Sequence, residues 1–352
     1  MAYTLNGKIK DLKPYDPISG DYRIRLDANE SFVPFPYTVM TGILEKTAFM
    51  PYNRYPDPMA EDVCKAFAKH YGVDPANVTA GNGSDELISV ILSSFLMKGD
   101  KMITLSPDFS MYRFYASIVE ADCIAVQKDE DLNIDVDGLI ETCNRNGAKL
   151  VIFSNPCNPT SLGLKREEVR KLAASVDALV VLDEAYIDFW DQSLLGEVCE
   201  YDNLIILRTC SKAFGMAAVR LGFAVTNKVL TNTLKAVKSP YNVNSLSQMV
   251  GTAVMSQPGL IDEALGQILE SRDALYQGMK GLERNYPEKL KIFETCTNFV
   301  FARVQGAKAV YQKLLEKSIA VRLMGDYVRI TAGSEPENKE LLKRLEEILA
   351  EG

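Results

Sequence analysis

The sequence predicts an α/β protein with a mostly parallel sheet in a large domain and a smaller α+β domain after it. Three observations carry this. Residues 150–154 (LVIFS), 178–182 (ALVVL), 204–207 (LIIL) and 221–225 (LGFAV) are almost continuously apolar, as strands covered by helices on both faces must be. Upstream of them, helical and strand-like patterns alternate. The chain has 352 residues, more than one core of ordinary size accommodates.

The elements follow in order. Residues 1–50 are rich in Pro, Asn and aromatic side chains with little periodicity, and read as an irregular N-terminal arm that packs on something else. A helix from residue 62 to 71 leads to a strand at 78–80, a helix over 84–96 and a strand at 101–105. The four apolar strands come next, with a helical stretch between the first two. After Pro258 the pattern gives a long helix over 260–285, strands near 298–303 and 328–331, and a charged helix from Glu335. The change of composition between residues 240 and 260 (KSPYNVNS, SQPG) sets the boundary. The large domain is then expected over 51–255 and the small one over 256–352.

Composition removes several classes. Hydrophobic residues at 47% and charged residues at 24% exclude disordered, collagen-like and coiled-coil chains. A net charge of −8 argues against a nucleic-acid partner, since phosphate backbones are bound by a positive surplus. Seven cysteines without CxxC spacing favour reduced thiols and a cytoplasmic setting. The N-terminus lacks a signal-peptide core and no apolar stretch is long enough to span a bilayer, so no membrane partner is expected. A single histidine, His70, excludes a multi-histidine metal site, and no metal is expected.

Ligands of α/β sheets sit at the carboxyl ends of strands, so the residues after each apolar run carry the chemistry. These are Asn155-Pro-Cys-Asn158-Pro-Thr160, Asp183-Glu-Ala-Tyr186, Arg208-Thr-Cys-Ser211-Lys212 and Gly81-Asn-Gly83-Ser84-Asp85-Glu86. Taken singly, each is an ordinary charge, turn or helix cap. Together they supply an amine, a buried acid, hydroxyl and amide donors and an anion cup, the set that a pyridine aldehyde phosphate needs. GNGSDE matches the dinucleotide fingerprint GxGxxG poorly, which disfavours a dehydrogenase.

NPCNPT, VLDEAYIDF and RTCSKAFGMAAVRLGF, at these separations, resemble the fold type I aminotransferases that use pyridoxal 5′-phosphate. Within them the chain is most similar to the histidinol-phosphate aminotransferase family, through LDANES, NRYPDP, GNGSDELI, PYNVNS, TNFV and VRITAG. The resemblance implies that Lys212 forms the imine with the cofactor and then shuttles the substrate proton. Asp183 would pair with the pyridinium N–H, and Tyr186 and Asn158 would bond the ring oxygen. Gly83, Ser84 and Asp85 at a helix start, with Thr209, Ser211 and Arg220, would hold the phosphate. Phe109 would stack on the ring where relatives carry tyrosine. Tyr55 would reach the phosphate of a neighbouring subunit, which implies a homodimer.

For the substrate, the resemblance points to Arg329 and Arg322, with Tyr15 and Asn29 nearby, as the seat of a carboxylate or phosphate. It implies amino transfer between L-histidinol phosphate and 2-oxoglutarate, a small-molecule amino donor and a 2-oxo acid. Three departures stand out: Cys157 replaces asparagine, Ser161 replaces the glycine after NPT, and the Arg322–Arg329 segment is short. An aromatic amino-acid aminotransferase and a threonine-phosphate decarboxylase share every cofactor residue and remain alternatives. A regulator of the same fold would need a DNA-binding segment that this acidic chain lacks.

Overall fold

The structure is a computed structural model describing residues 3–14, 18–257 and 259–351. Its strands are β1 (Ile24–Arg25), β2 (Val78–Gly81), β3 (Lys101–Ser106), β4 (Asp122–Gln127), β5 (Leu150–Ser154), β6 (Leu179–Asp183), β7 (Leu204–Thr209), β8 (Gly222–Thr226), β9 (Leu290–Ile292), β10 (Phe299–Val304), β11 (Ile319–Ala320), β12 (Arg322–Met324) and β13 (Tyr327–Thr331). Its helices are α1 (Tyr37–Ala48), α2 (Glu61–Tyr71), α3 (Ser84–Phe95), α4 (Met111–Ile118), α5 (Val136–Asn146), α6 (Arg166–Ser175), α7 (Lys228–Val237), α8 (Ser245–Met255), α9 (Leu260–Asn285), α10 (Ala307–Glu316) and α11 (Glu335–Glu351).

Seven strands form the main sheet in the order β2-β8-β7-β6-β5-β3-β4, parallel except for β8, which runs against both neighbours. Alternation of side chains explains the continuous apolar runs. Ile103, Val151, Phe153, Val180, Leu182, Leu204 and Ile206 enter the core on one face. Met102, Leu150, Ile152, Val181, Ile205 and Leu207 enter the core shared with α3 and α4 on the other. Each such side chain contributes about 1.5–3 kcal/mol by leaving water.

A second sheet, β12-β13-β10-β9, is antiparallel and packs Val300, Ala302, Val328 and Ile330 into a separate core with Leu341 and Leu345 of α11. Helix α9 is common to both cores, with Ile261 and Ile268 in the first and Leu275, Met279 and Leu282 in the second. The N-terminal stretch is less irregular than expected. Residues Tyr37–Ala48 are helical, and β1 pairs in parallel with β11, carrying Ile24 and Leu26 into the second core.

Candidate active site

Chain order reverses direction across the main sheet beside β3: the chain goes outward to β4, then returns to β5 on the other side of β3. This opens a crevice at the carboxyl ends of the strands. Asp183 ends β6 and Thr209 ends β7, while the loop through Asn158 leaves β5. Gly81 ends β2, which runs the same way as β7, so the four expected segments meet at one end of the sheet.

Asp183 is buried, and burial pushes its carboxyl up to about 6, against hydrogen bonds from the Tyr112 hydroxyl (2.8 Å) and the Ala185 N–H (3.1 Å). Asp108 and Asp85 raise it further. Tyr112 was not singled out by sequence reasoning. It lies one helical turn after Phe109, and the two rings meet edge to face at 5.5 Å, so the spacing in SPDFSMY was the available signal. Asp108 was missed as well. It is buried, its carboxyl raised by burial, and it accepts the Ser154 and Phe109 N–H groups. Ser154 Oγ accepts the Asn158 N–H at 3.0 Å.

The Lys212 amine is half-buried, 3.0 Å from the Ala28 carbonyl and 5.7 Å from the centre of the Tyr186 ring. Tyr186 is buried, and its hydroxyl accepts the Asn29 amide at 2.9 Å. Asn29 has φ +55° and also accepts from Thr331 at 3.0 Å. Its amide therefore braces Tyr186 against β13. Tyr15 lies outside the described residues.

Helix α3 is the expected anion cup. Asp135, Asn227 and Asn244 cap α5, α7 and α8 through their side chains, whereas α3 opens from Gly83 at φ +84° with no side-chain cap. Its first N–H groups and dipole favour an anion. A Cβ on Gly83 would stand 2.9 Å from Arg220 Nη2, so the guanidinium lies against the turn. Arg220 also reaches Ser211 Oγ at 3.4 Å, and the Ser211 N–H bonds Thr209 Oγ1 at 3.2 Å. The Asp85 carboxylate is held by Tyr115 at 2.8 Å. Tyr55 is 81% exposed, stacked on Tyr241 at 4.6 Å, and makes no hydrogen bond to this cup among the described residues.

Arg329 closes the crevice from the second sheet. It donates to Asn158 Oδ1 at 2.5 Å and to the Asp27 carbonyl at 2.7 Å, with its guanidinium 5.4 Å from the Phe299 ring centre. Arg322 and Arg329 are register partners across β12 and β13, so both side chains leave the sheet on one face. The short segment between them is a tight hairpin, Met324 opposite Tyr327, turning on Gly325 at φ +62°. Cys157 is fully buried, its thiol pushed up by burial, with the Lys128 amine 2.9 Å from its sulfur.

The donor set suits pyridoxal phosphate. A buried acid with a raised pKa gains most from a cationic N–H beside it, an amine stands near Tyr186, and an uncapped helix start with Arg220 against its glycine turn has the donors and charge that suit a phosphate. No cluster of metal-ligating residues occurs among the described residues, and none of their helices is long and apolar enough to cross a membrane.

Comparison with known proteins agrees with this geometry. The aminotransferase class I and II family matches residues 23–345. The histidinol-phosphate aminotransferase of Clostridium kluyveri is 42% identical over 341 residues, 96% of each chain. That of Thermoanaerobacter pseudethanolicus is 38% identical over 97% of each. Among solved structures, the histidinol-phosphate aminotransferase of Sinorhizobium meliloti in complex with pyridoxal-5′-phosphate superposes with a TM-score of 0.89 at 23% identity, covering 99% of both chains. L-threonine-O-3-phosphate decarboxylase from Porphyromonas gingivalis gives 0.79 at 21%, covering 93% of this chain and 99% of its own. These two likenesses establish the fold, fold type I. The chain belongs to the histidinol-phosphate aminotransferase family of the class I and II aminotransferases, and is an enzyme that works with pyridoxal 5′-phosphate.

Proposed function

We propose that this enzyme transfers the amino group of L-histidinol phosphate to 2-oxoglutarate. The single observation that carries the donor is the pair Arg322 and Arg329 on one sheet face. Two guanidinium groups on one sheet face can both turn to a multiply charged anion. Histidinol phosphate carries a phosphate-bearing carbon where an ordinary amino acid has its carboxylate, and two guanidinium forks match that dianion. The relatives named for this activity at 42% and 38% identity support the reading.

When bound, the cofactor supplies a pyridinium ring that withdraws electrons from the substrate carbon. Lys212 would hold it through its side-chain amine and, once freed by the incoming substrate, would move a proton at the substrate Cα. Asp183 would set a negative charge beside the ring nitrogen and so hold its proton in place. Tyr186, braced by Asn29, and Asn158 would donate to the ring oxygen. Gly83, Ser84, Asp85, Thr209, Ser211 and Arg220 would take the phosphate, and Phe109 would cover one face of the ring. Asn158 also meets Arg329, so one loop ties ring orientation to substrate binding.

A homodimer in the cytoplasm completes the reading. Support comes from Tyr37, Leu44, Phe49 and Tyr52, which expose a run of large apolar surface on α1 and the turn after it, next to the exposed Tyr55. The deciding experiment is single-turnover absorbance of cofactor-loaded wild type and Lys212→Ala with L-histidinol phosphate, phenylalanine, tyrosine and phosphothreonine. Rapid loss of the cofactor band with L-histidinol phosphate, absent in the variant, is expected. A faster response to another amine refutes the substrate, and carbon dioxide release from phosphothreonine would identify a decarboxylase.

A further inference from the structure

The joint between the cofactor loop and the sheet bearing the two arginines depends on a residue in an unfavourable conformation. Ser161 has φ +65°, a region that glycine enters freely and a side chain does not. Its hydroxyl is buried, 2.8 Å from Thr295 Oγ1 and 2.7 Å from Thr297 Oγ1. The Cys296 N–H donates to its carbonyl at 3.0 Å. Thr295 and Thr297 donate onward to the Phe299 carbonyl at 2.7 and 3.2 Å. Phe299 opens β10, and its ring faces both Arg329 and Tyr186.

A second strained residue borders the same sheet. Leu132, at φ +67°, is buried in one apolar cluster with Phe293 and Phe301, beside the Lys291–Asp131 ion pair at 2.7 Å. Strain of this kind persists only where surrounding contacts over-determine it. Here the Ser161 hydroxyl and the Leu132 side chain both meet β10 or the loop that leads into it, on the sheet that carries Arg322 and Arg329.

We propose that the Ser161 hydroxyl is a positioning element of the substrate-anion site, fixing the arginine-bearing sheet against the Asn158 loop. The proposal rests on reading Arg322 and Arg329 as anion ligands. Without the hydroxyl, Thr295 and Thr297 keep their bonds to Phe299, but the bridge to the Asn158 loop loses both its side-chain bonds and keeps only the Cys296 N–H bond to the Ser161 carbonyl. The sheet can then settle away from the position at which both arginines meet a substrate held on the cofactor, while Lys212, Asp183 and α3 stay where they are.

The test uses cofactor-loaded wild type, Ser161→Ala and Ser161→Gly, measuring kcat, KM for both substrates and the cofactor dissociation constant. Both variants are expected to raise KM for L-histidinol phosphate and 2-oxoglutarate about 5- to 10-fold, the worth of one ordinary buried hydrogen bond. kcat should stay within about twofold and cofactor affinity should not move. Ser161→Gly relieves the backbone, so it keeps the experiment decisive should Ser161→Ala fold poorly. Wild-type KM in Ser161→Gly, or kcat and cofactor affinity falling in step with KM, overturns the proposal. Failure of the wild type on L-histidinol phosphate would refute the substrate reading alone, and the KM ratio would then be read with L-glutamate and 2-oxoglutarate.

Discussion

Tyr112→Phe removes one atom from a fully buried pair and should change the pH at which the cofactor binds. The phenol donates to Asp183 at 2.8 Å and lowers a carboxyl that burial has raised to about 6. A hydrogen bond to a charged acceptor contributes about 1.5–3 kcal/mol, so its loss lifts Asp183 by roughly one to two pH units. Only the ionised carboxylate holds the pyridinium proton well. At pH 7 the wild-type group is about nine-tenths ionised, whereas the variant's is between about half and one-tenth. The ratio of variant to wild-type dissociation constants is then about 2 to 10 at pH 7, near one at pH 9, and larger as pH falls. Fluorescence titration of stripped protein with pyridoxal phosphate, repeated across pH, measures it, because the imine's own pH dependence cancels in the ratio. A ratio that is flat with pH, or that grows as pH rises, refutes the reasoning.

Stripped of cofactor, the wild type should lose stability as pH rises from about 4 to about 6. Folded Asp183 keeps its proton there while the unfolded group has released it, a difference of at most about 3 kcal/mol. Denaturant titrations of Asp183→Asn should lack this component. Arg322→Ala should raise KM for L-histidinol phosphate by about 10- to 100-fold, with a smaller effect on 2-oxoglutarate than Arg329→Ala has; equal effects on both substrates in both variants would remove Arg322 from phosphate recognition. Gly222→Ala places a Cβ 2.3 Å from the Ser84 nitrogen and 2.6 Å from the Gly83 carbonyl carbon. It should cost about 1–3 kcal/mol in calorimetry and weaken cofactor binding, since the backbone that must move is the cradle itself.

The convergence of Asn158, Asp183, Lys212 and the Gly83 turn was legible because each follows an apolar run, where strand ends in a parallel sheet place functional groups. What escaped reading depends on tertiary partners far along the chain. Tyr112 meets Asp183 across 71 residues and Asn29 meets Tyr186 across 157, and neither pair has a local pattern. Helix α1 read as irregular because Pro36 precedes it, no side chain caps it, and only Ile43 is buried, so no apolar stripe marks it. Strand β4 lies at the sheet edge with no fully buried residue, and its identity comes from pairing with β3 rather than from its own sequence. The short Arg322–Arg329 segment was visible as a deletion, but that it forms a two-residue hairpin follows from Gly325 and the β12–β13 register.

The pairing of β1 with β11 has a bearing on synthesis. The Arg23 N–H bonds Ser318 across 295 residues, and the Leu26 carbonyl accepts the Thr331 N–H. A growing chain has all seven strands of the main sheet, with Asp183 and Lys212, once residue 226 has emerged. The segment that braces Tyr186 and receives the Lys212 amine must wait for its partner strands until almost the whole protein is made. Contacts this distant in sequence form late. A chain released early would carry Asp183 and Lys212 without the segment that braces Tyr186 and without either arginine, so the site can assemble only in the last stage of synthesis.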